Sequence, residues 1–291
     1  MLLAMKLKAV LTAAALASPF AMTAVTPSDT LPSAQEFAAL KAENFSYRIA
    51  GDFSRDGKPV AAPLRRIKLD SSLAIMTRQV TAAEYARCVD DGGCPRIPQA
   101  STKDNMPMVG VNWRDATAYA RWMTRITGKL HRLPTDEEWV FAAAEKASDD
   151  ALPVTEAVDP VRAWIARYEA ETSRERPALL APQPVGAFGR NERGLRDVAG
   201  NVWEWTDTCF LRHDIEPSGT TRVTNTNCGV RVVQGAHRAY MTDFIRDPRS
   251  GGCAAGVPPA NLGFRLVIEQ ETWPRLRRIA ERAADKVFGH L

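Results

Sequence analysis

Two consecutive segments near the middle of the chain are strongly patterned as helices. RDATAYARWMTRIT follows Asn112, which forms a capping-box pattern with Asp115, and Gly128 stands just past its end. DEEWVFAAAEK follows Thr135, which repeats the capping box with Glu138. Beyond residue 146 short apolar runs alternate with Gly, Pro, Asn and Asp, a pattern typical of short strands joined by long loops. The sequence therefore predicts a loop-rich α+β fold.

The regions on either side of these helices give weaker predictions. RRIKLDSSLAIMTRQVTAAEYARCV predicts a strand, a turn, a strand and then a helix from Thr81. Residues 25–64 are interpreted as a linker that runs into a short helix at SAQEFAALKAE. Residues 269–291 predict a basic amphipathic helix, which either packs on its own domain or contacts a protein partner or a membrane surface.

The start of the chain predicts export. MKLKAVLTAAALASPFAMTA has a short basic start, an apolar run and small residues at its end, so residues 1–24 have the pattern of a secretory signal peptide. No later stretch reaches the roughly 18 apolar residues that a membrane span needs. A net charge of +4 over 291 residues is too weak for a nucleic-acid partner. We expect a periplasmic protein with no transmembrane span and no nucleic-acid partner.

The chain contains five cysteines, and exported thiols tend to pair. Cys88 and Cys94 bracket VDDGG, a sequence that favours a turn. Cys209 and Cys228 bracket a polar segment, interpreted as a loop. These spacings predict two disulfides, Cys88–Cys94 and Cys209–Cys228, and leave Cys253 without a partner as a buried inert thiol or a reactive one.

Four segments carry a family resemblance. They are, in order, MPMVGVNWRDATAYARWMTRITGKLHRLPTDEEWVFAAA, GLRDVAGNVWEW, RVVQGAH and NLGFRLV. Together they resemble the formylglycine-generating enzyme (sulfatase-modifying factor) family over residues 65–268. The resemblance implies a single domain with a C-type-lectin-like core that is low in regular secondary structure.

The resemblance also implies one structural calcium ion at GLRDVAGNVWEW. Asp197 and Glu204 would provide side-chain oxygens, and Gly200 and Val202 would provide backbone carbonyls, which are the oxygen ligands that calcium prefers. The preceding stretch does not align with the ligands of the family's second calcium site, so we expect one site. Without the resemblance, this segment would be interpreted as a hydrophobic turn with an exposed Glu204.

The catalytic signature of the family is absent. Its copper-binding cysteine pair aligns with Tyr240 and Ile245, and the serine of its GGS motif aligns with His237. Neither Tyr240 nor Ile245 can bind copper as a thiolate. We therefore expect that this protein does not make formylglycine by the cysteine-pair route.

Several polar residues nevertheless cluster in this region. A histidine near a tyrosine and an aspartate can transfer protons, which makes His237, Tyr240 and Asp243 the catalytic candidates. Arg238, Trp203 and Asn261 are the substrate-binding candidates. A transition-metal site at His237, Asp243 and Cys253 is an alternative, and a third is that these residues pack in the core or form ion pairs. The sequence identifies no redox metal.

Two functions remain open at this point. Exported relatives without the cysteine pair include a periplasmic oxidase that matures the pyoverdine chromophore, and the chain resembles that group in export and length. The resemblance implies an oxidoreductase or maturation enzyme that acts on a peptide or peptide-derived metabolite. The alternative is a non-catalytic ligand- or protein-binding module, such as an accessory subunit, because a fold alone does not decide function.

Overall fold

The computed structural model describes residues 36–98, 103–148, 165, 181–247 and 261–269. The predicted signal peptide lies outside these residues, as does the predicted C-terminal helix apart from Glu269. The helices are α1 Ala82–Asp90, α2 Trp113–Thr127, α3 Asp136–Ala143 and a 3-10 turn at Ala144–Lys146. The strands are β1 Phe37–Leu40, β2 Asn44–Arg48, β3 Asp52–Arg55, β4 Lys58–Val60, β5 Leu64–Lys68, β6 Leu73–Met76, β7 His131–Arg132, β8 Trp203–Ile215, β9 Thr221–Gln234, β10 Ala239–Thr242, β11 Leu262–Gly263 and β12 Val267–Ile268. The predicted α+β class is confirmed.

Helices α2 and α3 begin where their capping patterns predict, and α1 begins after Thr81, as expected, with a capping box of its own. Each N-cap side chain accepts the N–H of the residue three positions on, whose carboxylate accepts the N–H of the N-cap in return. These pairs are Thr81–Glu84, Asn112–Asp115 and Thr135–Glu138. Helix α2 ends at Gly128, whose φ of 69° is the left-handed conformation that glycine adopts without strain.

Three sheets surround these helices. One has the order β1-β6-β12-β7, and a second has the order β10-β9-β8-β3-β4 with β11 paired to β8. Strands β2 and β5 form a separate pair. Within the described residues, no helix is both long enough and apolar enough to cross a membrane.

Two segments differ from their sequence predictions. The expected short helix at SAQEFAALKAE is wrong, because Phe37–Leu40 is strand β1 and pairs antiparallel with β6; this pairing overrides the local helix preference of an alanine-rich segment. The expected linker up to residue 64 instead contains β1 to β4 and the start of β5. The polar segment between Cys209 and Cys228 is not a loop but most of the long β8–β9 hairpin, since its four threonines and Val223 favour strands.

Both predicted disulfides are confirmed. Cys88–Cys94 closes the loop that follows α1, with a Cα–Cα distance of 5.3 Å. Cys209–Cys228 joins the two strands of the β8–β9 hairpin, with a Cα–Cα distance of 4.5 Å. It lies where the pairing register of the two strands shifts, so it cross-links an irregular part of the sheet.

The buried side chains form two clusters. One packs α1 and α2 against β8, β10 and β11, with Tyr119, Trp205 and Met241 in its interior. The other packs α3 against β6 and β12 through Trp139 and Ile75. The polar groups described next lie where α3 and the β2–β3 segment meet strands β9 and β10.

Candidate functional site

Strand β10 directs its side chains alternately to two sides. Ala239 and Met241 are buried in the core at 1% and 0% exposure. Because neighbouring strand residues point to opposite faces, Tyr240 projects away from that core and is half-buried. On the side of β10 that faces away from the core, Arg238 and Tyr240 make polar contacts with neighbouring elements.

Asp136, the first residue of α3, is the centre of these contacts. Its carboxylate is fully buried and accepts hydrogen bonds from the Tyr47 hydroxyl at 2.7 Å and Gln234 Nε2 at 2.5 Å. It also pairs with Arg238 Nη2 at 2.9 Å. The backbone N–H of Asp136 donates to Thr208 Oγ1 at 2.8 Å. The helix N-terminus and the guanidinium together stabilise a carboxylate that has little contact with water.

Tyr240 lies close to this carboxylate and guanidinium. Its hydroxyl oxygen accepts the N–H of Gly51 at 2.7 Å, and its ring meets Phe210 edge-on at 5.1 Å. Burial raises the pKa of Tyr240 to about 12, and the nearby Arg238 opposes this shift. We call Tyr47, Asp136, Gln234, Arg238 and Tyr240 the Asp136 cluster.

The peptide at Ala50 and Gly51 connects this cluster to a buried histidine. Ala50 N–H donates to the Tyr47 hydroxyl at 3.3 Å, while Gly51 N–H donates to Tyr240. The carbonyl of Ala50 hydrogen-bonds the ring of His213, and burial lowers the pKa of that histidine. Gly51 has a φ of 117° and lies so close to β8 that a Cβ would be 2.4 Å from a backbone oxygen. Glycine is therefore required here by both conformation and space.

The three catalytic candidates make contacts with different neighbours. His237 is buried with its ring edge-on to Trp203, at a centroid distance of 5.4 Å. Tyr240 belongs to the Asp136 cluster, whereas Asp243 lies past the end of β10 and pairs with Arg114 at 3.1 Å. The interpretation of Asp243 as an ion-pair residue therefore fits the structure. The catalytic roles of His237, Tyr240 and Asp243 stay predictions.

The substrate-binding candidates also separate into two places. Trp203 donates its indole N–H to the carbonyl of His237 at 3.1 Å and its backbone N–H to the carbonyl of Asn261 at 2.9 Å. The ring of Trp203 packs directly on Gly235, where a Cβ would lie 2.5 Å from it. Trp203, His237 and Asn261 thus form one group, and Arg238 belongs to the Asp136 cluster.

The segment GLRDVAGNVWEW is held by protein contacts. Asp197 is in the left-handed conformation with a φ of 60°, and its two carboxylate oxygens accept the N–H groups of Gly186 at 2.6 Å and Phe188 at 2.9 Å. Gly200 packs against the ring of Phe188, and Val202 is buried. The carboxylate of Asp197 therefore organises a loop of the chain through backbone hydrogen bonds.

Glu204 is engaged even more fully, and its interpretation as an exposed residue is wrong. It is 0% exposed, and both of its oxygens bind Arg265, at 2.6 and 2.7 Å. Gln79 Nε2 donates to one of these oxygens at 2.7 Å, and Trp139 Nε1 donates to the other at 2.8 Å. Four hydrogen bonds and a guanidinium charge satisfy this carboxylate.

These contacts bear directly on the calcium prediction. The predicted ligands are Asp197, Gly200, Val202 and Glu204. Both carboxylates are occupied by protein donors, and the charge of Arg265 would repel a cation at Glu204. In the part of the chain that the structure describes, no group of three or more His, Cys, Asp or Glu residues is placed to hold a metal. This donor set does not fit calcium, and metal analysis is the direct test of the prediction.

Sequence reasoning missed three members of the Asp136 cluster. Tyr47 lies in the segment interpreted as a linker, and Asp136 stands at the start of a predicted helix, where an acidic residue is favourable without any further role. Gln234 lies within RVVQGAH, a segment that carried the family resemblance without suggesting a role for this side chain. No local pattern marks a carboxylate at the start of a helix as buried by strands that follow about 100 residues later.

The architecture defines the class of protein: an α+β domain in which helices α1 to α3 of the described residues pack on the sheets, with a tyrosine-containing polar cluster beside β10. Residues 23–270 match the sulfatase-modifying factor enzyme 1-like domain. The chain belongs to that family, as its motifs suggested.

Curated relatives match over part of their length. The formylglycine-generating enzyme of Streptomyces coelicolor is 31% identical over 190 residues, which cover 60% of this chain and 58% of the relative. The inactive C-alpha-formylglycine-generating enzyme 2 of Bos taurus is 33% identical over 184 residues, with 58% of each chain covered. The chain thus spans less than two thirds of the length of these relatives.

Among solved structures, PvdO from Pseudomonas aeruginosa is similar to this chain. The two are 20% identical, the TM-score is 0.48, and the similarity covers 78% of this chain and 92% of PvdO.

Proposed function

We propose that this protein is an exported maturation enzyme that acts on a peptide or peptide-derived metabolite without a cysteine pair. One observation carries the proposal. Tyr240, which aligns with the first catalytic cysteine of the family, accepts the Gly51 N–H with its hydroxyl oxygen and lies within electrostatic reach of the buried Asp136–Arg238 ion pair. The signal-peptide pattern and the two disulfides support export to an oxidising compartment.

The chemistry that this site supports is proton transfer. With a pKa near 12, the Tyr240 hydroxyl keeps its proton at neutral pH. Its oxygen already accepts the N–H of Gly51, so the hydroxyl proton can be donated to an oxygen or nitrogen of a bound ligand. When Tyr240 gives up its proton, the positive charge of Arg238 stabilises the phenolate that forms, and Asp136 holds Arg238 in place through their ion pair.

A second candidate is a non-catalytic module that binds the same class of ligand. Each oxygen of Asp136 accepts at least one side-chain donor, so this carboxylate is poorly suited to act as a base. A neutral phenol and a fixed guanidinium are also groups that bind a ligand without reaction. One of the relatives bears a name that describes it as inactive.

Tyr240→Phe separates the two candidates. Mature protein is incubated with a peptide and metabolite extract of the periplasm, and mass spectrometry follows retained ligands and time-dependent mass changes. We expect the wild type to convert at least one ligand and the variant to be about 100-fold slower. Because the Gly51 N–H loses its acceptor, the melting temperature of the variant should fall by a few degrees while the fold is kept.

The matched control is Tyr85→Phe, which removes another tyrosine hydroxyl, one that donates to the carbonyl of Pro95. It should leave turnover unchanged. Retention of a ligand without any mass change would favour the binding module. Full turnover by Tyr240→Phe would exclude the proposed role of Tyr240.

A further inference from the structure

The two-stranded ribbon of β2 and β5 has one side against the protein and one side in solvent. Sides alternate along each strand, and residues that face each other in the register share a side. The ring of Phe45 packs on that of Phe141 at 5.1 Å, and Tyr47 is buried, so these positions face inward. The outer side consists of Asn44, Ser46 and Arg48 on β2 and of Leu64, Arg66 and Lys68 on β5. We call these six residues the ribbon face.

The ribbon face is accessible from outside. Five of its six residues are exposed, and only Arg48 is half-buried. Arg48 Nη1 donates to the carbonyl of Ala62 at 2.6 Å, which holds this side chain against the segment that leads into β5. Because residues on one side of a strand lie about 7 Å apart, Leu64, Arg66 and Lys68 form a row about 14 Å long.

The charge of the ribbon face is entirely positive. Arg48, Arg66 and Lys68 are three cations, and none of the six residues is acidic. The side chains of Arg66 and Lys68 form no ion pair or hydrogen bond with the residues that the structure describes. The whole chain nearly balances 38 Lys and Arg against 34 Asp and Glu, so this face concentrates charge of one sign. Because these cations repel one another, a negatively charged partner stabilises them.

An aliphatic side chain stands at one end of the same row. Leu64 is 52% exposed and lies opposite Arg48 in the register. Its apolar area stays in contact with water unless a partner with an apolar layer covers it. Arginine and lysine can place their aliphatic stems along such a layer while their charged ends stay in a polar environment. The face therefore presents cations and an apolar group on one side of one ribbon.

This combination favours a lipid surface over other anions. A small anion is held by donors that converge on it, whereas Arg66 and Lys68 project side by side from a ribbon. An acidic peptide would pair with the cations and leave Leu64 in water. A membrane with anionic lipids offers negative head groups to the cations and acyl chains to the leucine.

We propose that the ribbon face docks on the surface of a membrane that contains anionic phospholipids. Arg66 and Lys68 contact the head groups, and Leu64 reaches the boundary of the acyl chains. The inference goes beyond the proposed function, because it concerns where the protein is held and assigns no step of a reaction.

The experiment measures binding of the mature full chain to sucrose-loaded vesicles by sedimentation. The vesicles contain phosphatidylcholine and phosphatidylglycerol, and vesicles of phosphatidylcholine alone are the comparison. We expect binding only to the anionic vesicles, and it should weaken as salt is added. Arg66→Gln combined with Lys68→Gln should reduce the partition coefficient about 30-fold, and Leu64→Ser should reduce it about fivefold.

Arg121→Gln combined with Arg125→Gln is the matched control. It removes the same charge from two exposed arginines of α2 and should bind within about twofold of the wild type. The basic segment 269–291 is present in every variant, so its own contribution cancels in the comparison.

Three results overturn the inference. One is unchanged vesicle binding after Arg66 and Lys68 are replaced, and another is an equal loss in the α2 control, because net charge alone would then explain binding. The third is binding of poly-glutamate without binding of vesicles, which indicates an acidic protein partner. The turnover test of Tyr240→Phe is made without vesicles, so either proposal can fail while the other stands.

Discussion

Arg265 and Glu204 form a bidentate ion pair in the interior, with Nε–Oε2 at 2.6 Å and Nη2–Oε1 at 2.7 Å and both side chains fully buried. The guanidinium also donates to the carbonyls of Met76 and Arg196. The pair thereby joins Arg265, two residues before β12, to β6, to β8 and to the loop that precedes β8. Glu204 is also one of the calcium ligands that the family resemblance implies.

Breaking this pair is expected to destabilise the fold strongly. Arg265→Met leaves Glu204 buried without its counter-charge, and such losses cost about 3–5 kcal/mol of unfolding free energy. Chemical denaturation followed by tryptophan fluorescence measures the change. Arg222→Met removes an exposed arginine from its partners Asp214 and Glu216, and should cost under about 1 kcal/mol. If the two variants lost similar amounts of unfolding free energy, burial would not be what makes the Arg265–Glu204 pair important for stability.

Removal of calcium is expected to have little effect on stability. The carboxylates of Asp197 and Glu204 are bonded to backbone N–H groups and to Arg265 respectively, so their contacts do not depend on an ion. The melting temperature with excess chelator should match that with added calcium to within about 1 °C, since only a ligand that binds the folded state raises it. Elemental analysis of untreated protein should find no stoichiometric calcium. A calcium-dependent rise in melting temperature would restore the family's metal site.

The parts of the fold that the sequence predicted are those with local signals. The capping boxes at Asn112 and Thr135 depend on residues three positions apart, so they are visible in the sequence and present in the structure. Strand β1 was missed because its conformation comes from pairing with β6, which starts over 30 residues later. Long-range pairing of this kind overrides local preference.

The candidate site was predictable to a smaller extent. Alignment with the family identified Tyr240 by its position in a motif, and Arg238 was a candidate because it lies in the same cluster of polar residues. Asp136 and Tyr47 join them only after β2, α3 and β9 have packed together, and these elements are distant in sequence. The same motif predicts a calcium ligand at Glu204, which stays a prediction, and the structure pairs this carboxylate with Arg265.

Reduction of the Cys209–Cys228 disulfide should loosen the β8–β9 hairpin. The bridge spans 19 positions and the Cys88–Cys94 bridge spans 6. On the chain-entropy model, removing the bridge that closes the longer loop lowers the free energy of unfolding by about 3 kcal/mol, and removing the bridge that closes the shorter loop lowers it by about 2 kcal/mol. The two double Cys→Ser variants are compared by thermal unfolding. Hydrogen exchange should show faster opening of β9 in the variant without Cys209 and Cys228. Unchanged exchange there would indicate that strand pairing alone holds the hairpin.

Acid should destabilise the protein partly through His213. This histidine stacks on Phe53 at a centroid distance of 4.3 Å, and its buried Nε2 has no partner among the described residues. Burial lowers its pKa below the usual 6.5, with Arg65 contributing in the same direction. The unfolded chain therefore takes up a proton at a higher pH than the folded one. The contribution of His213 to stability is present above pH 6.5 and is lost as the pH falls through its folded pKa.

His213→Gln removes this titration while its amide N–H can still donate to the carbonyl of Ala50. The unfolding free energy of the wild type should fall between about pH 7 and pH 5, and the variant should fall less steeply. His131 also has a pKa lowered by burial. When His131→Gln is added to His213→Gln, the unfolding free energy should therefore depend on pH even less steeply than in the single variant. Parallel pH profiles for the wild type and His213→Gln would mean that His213 titrates alike in the folded and unfolded chains.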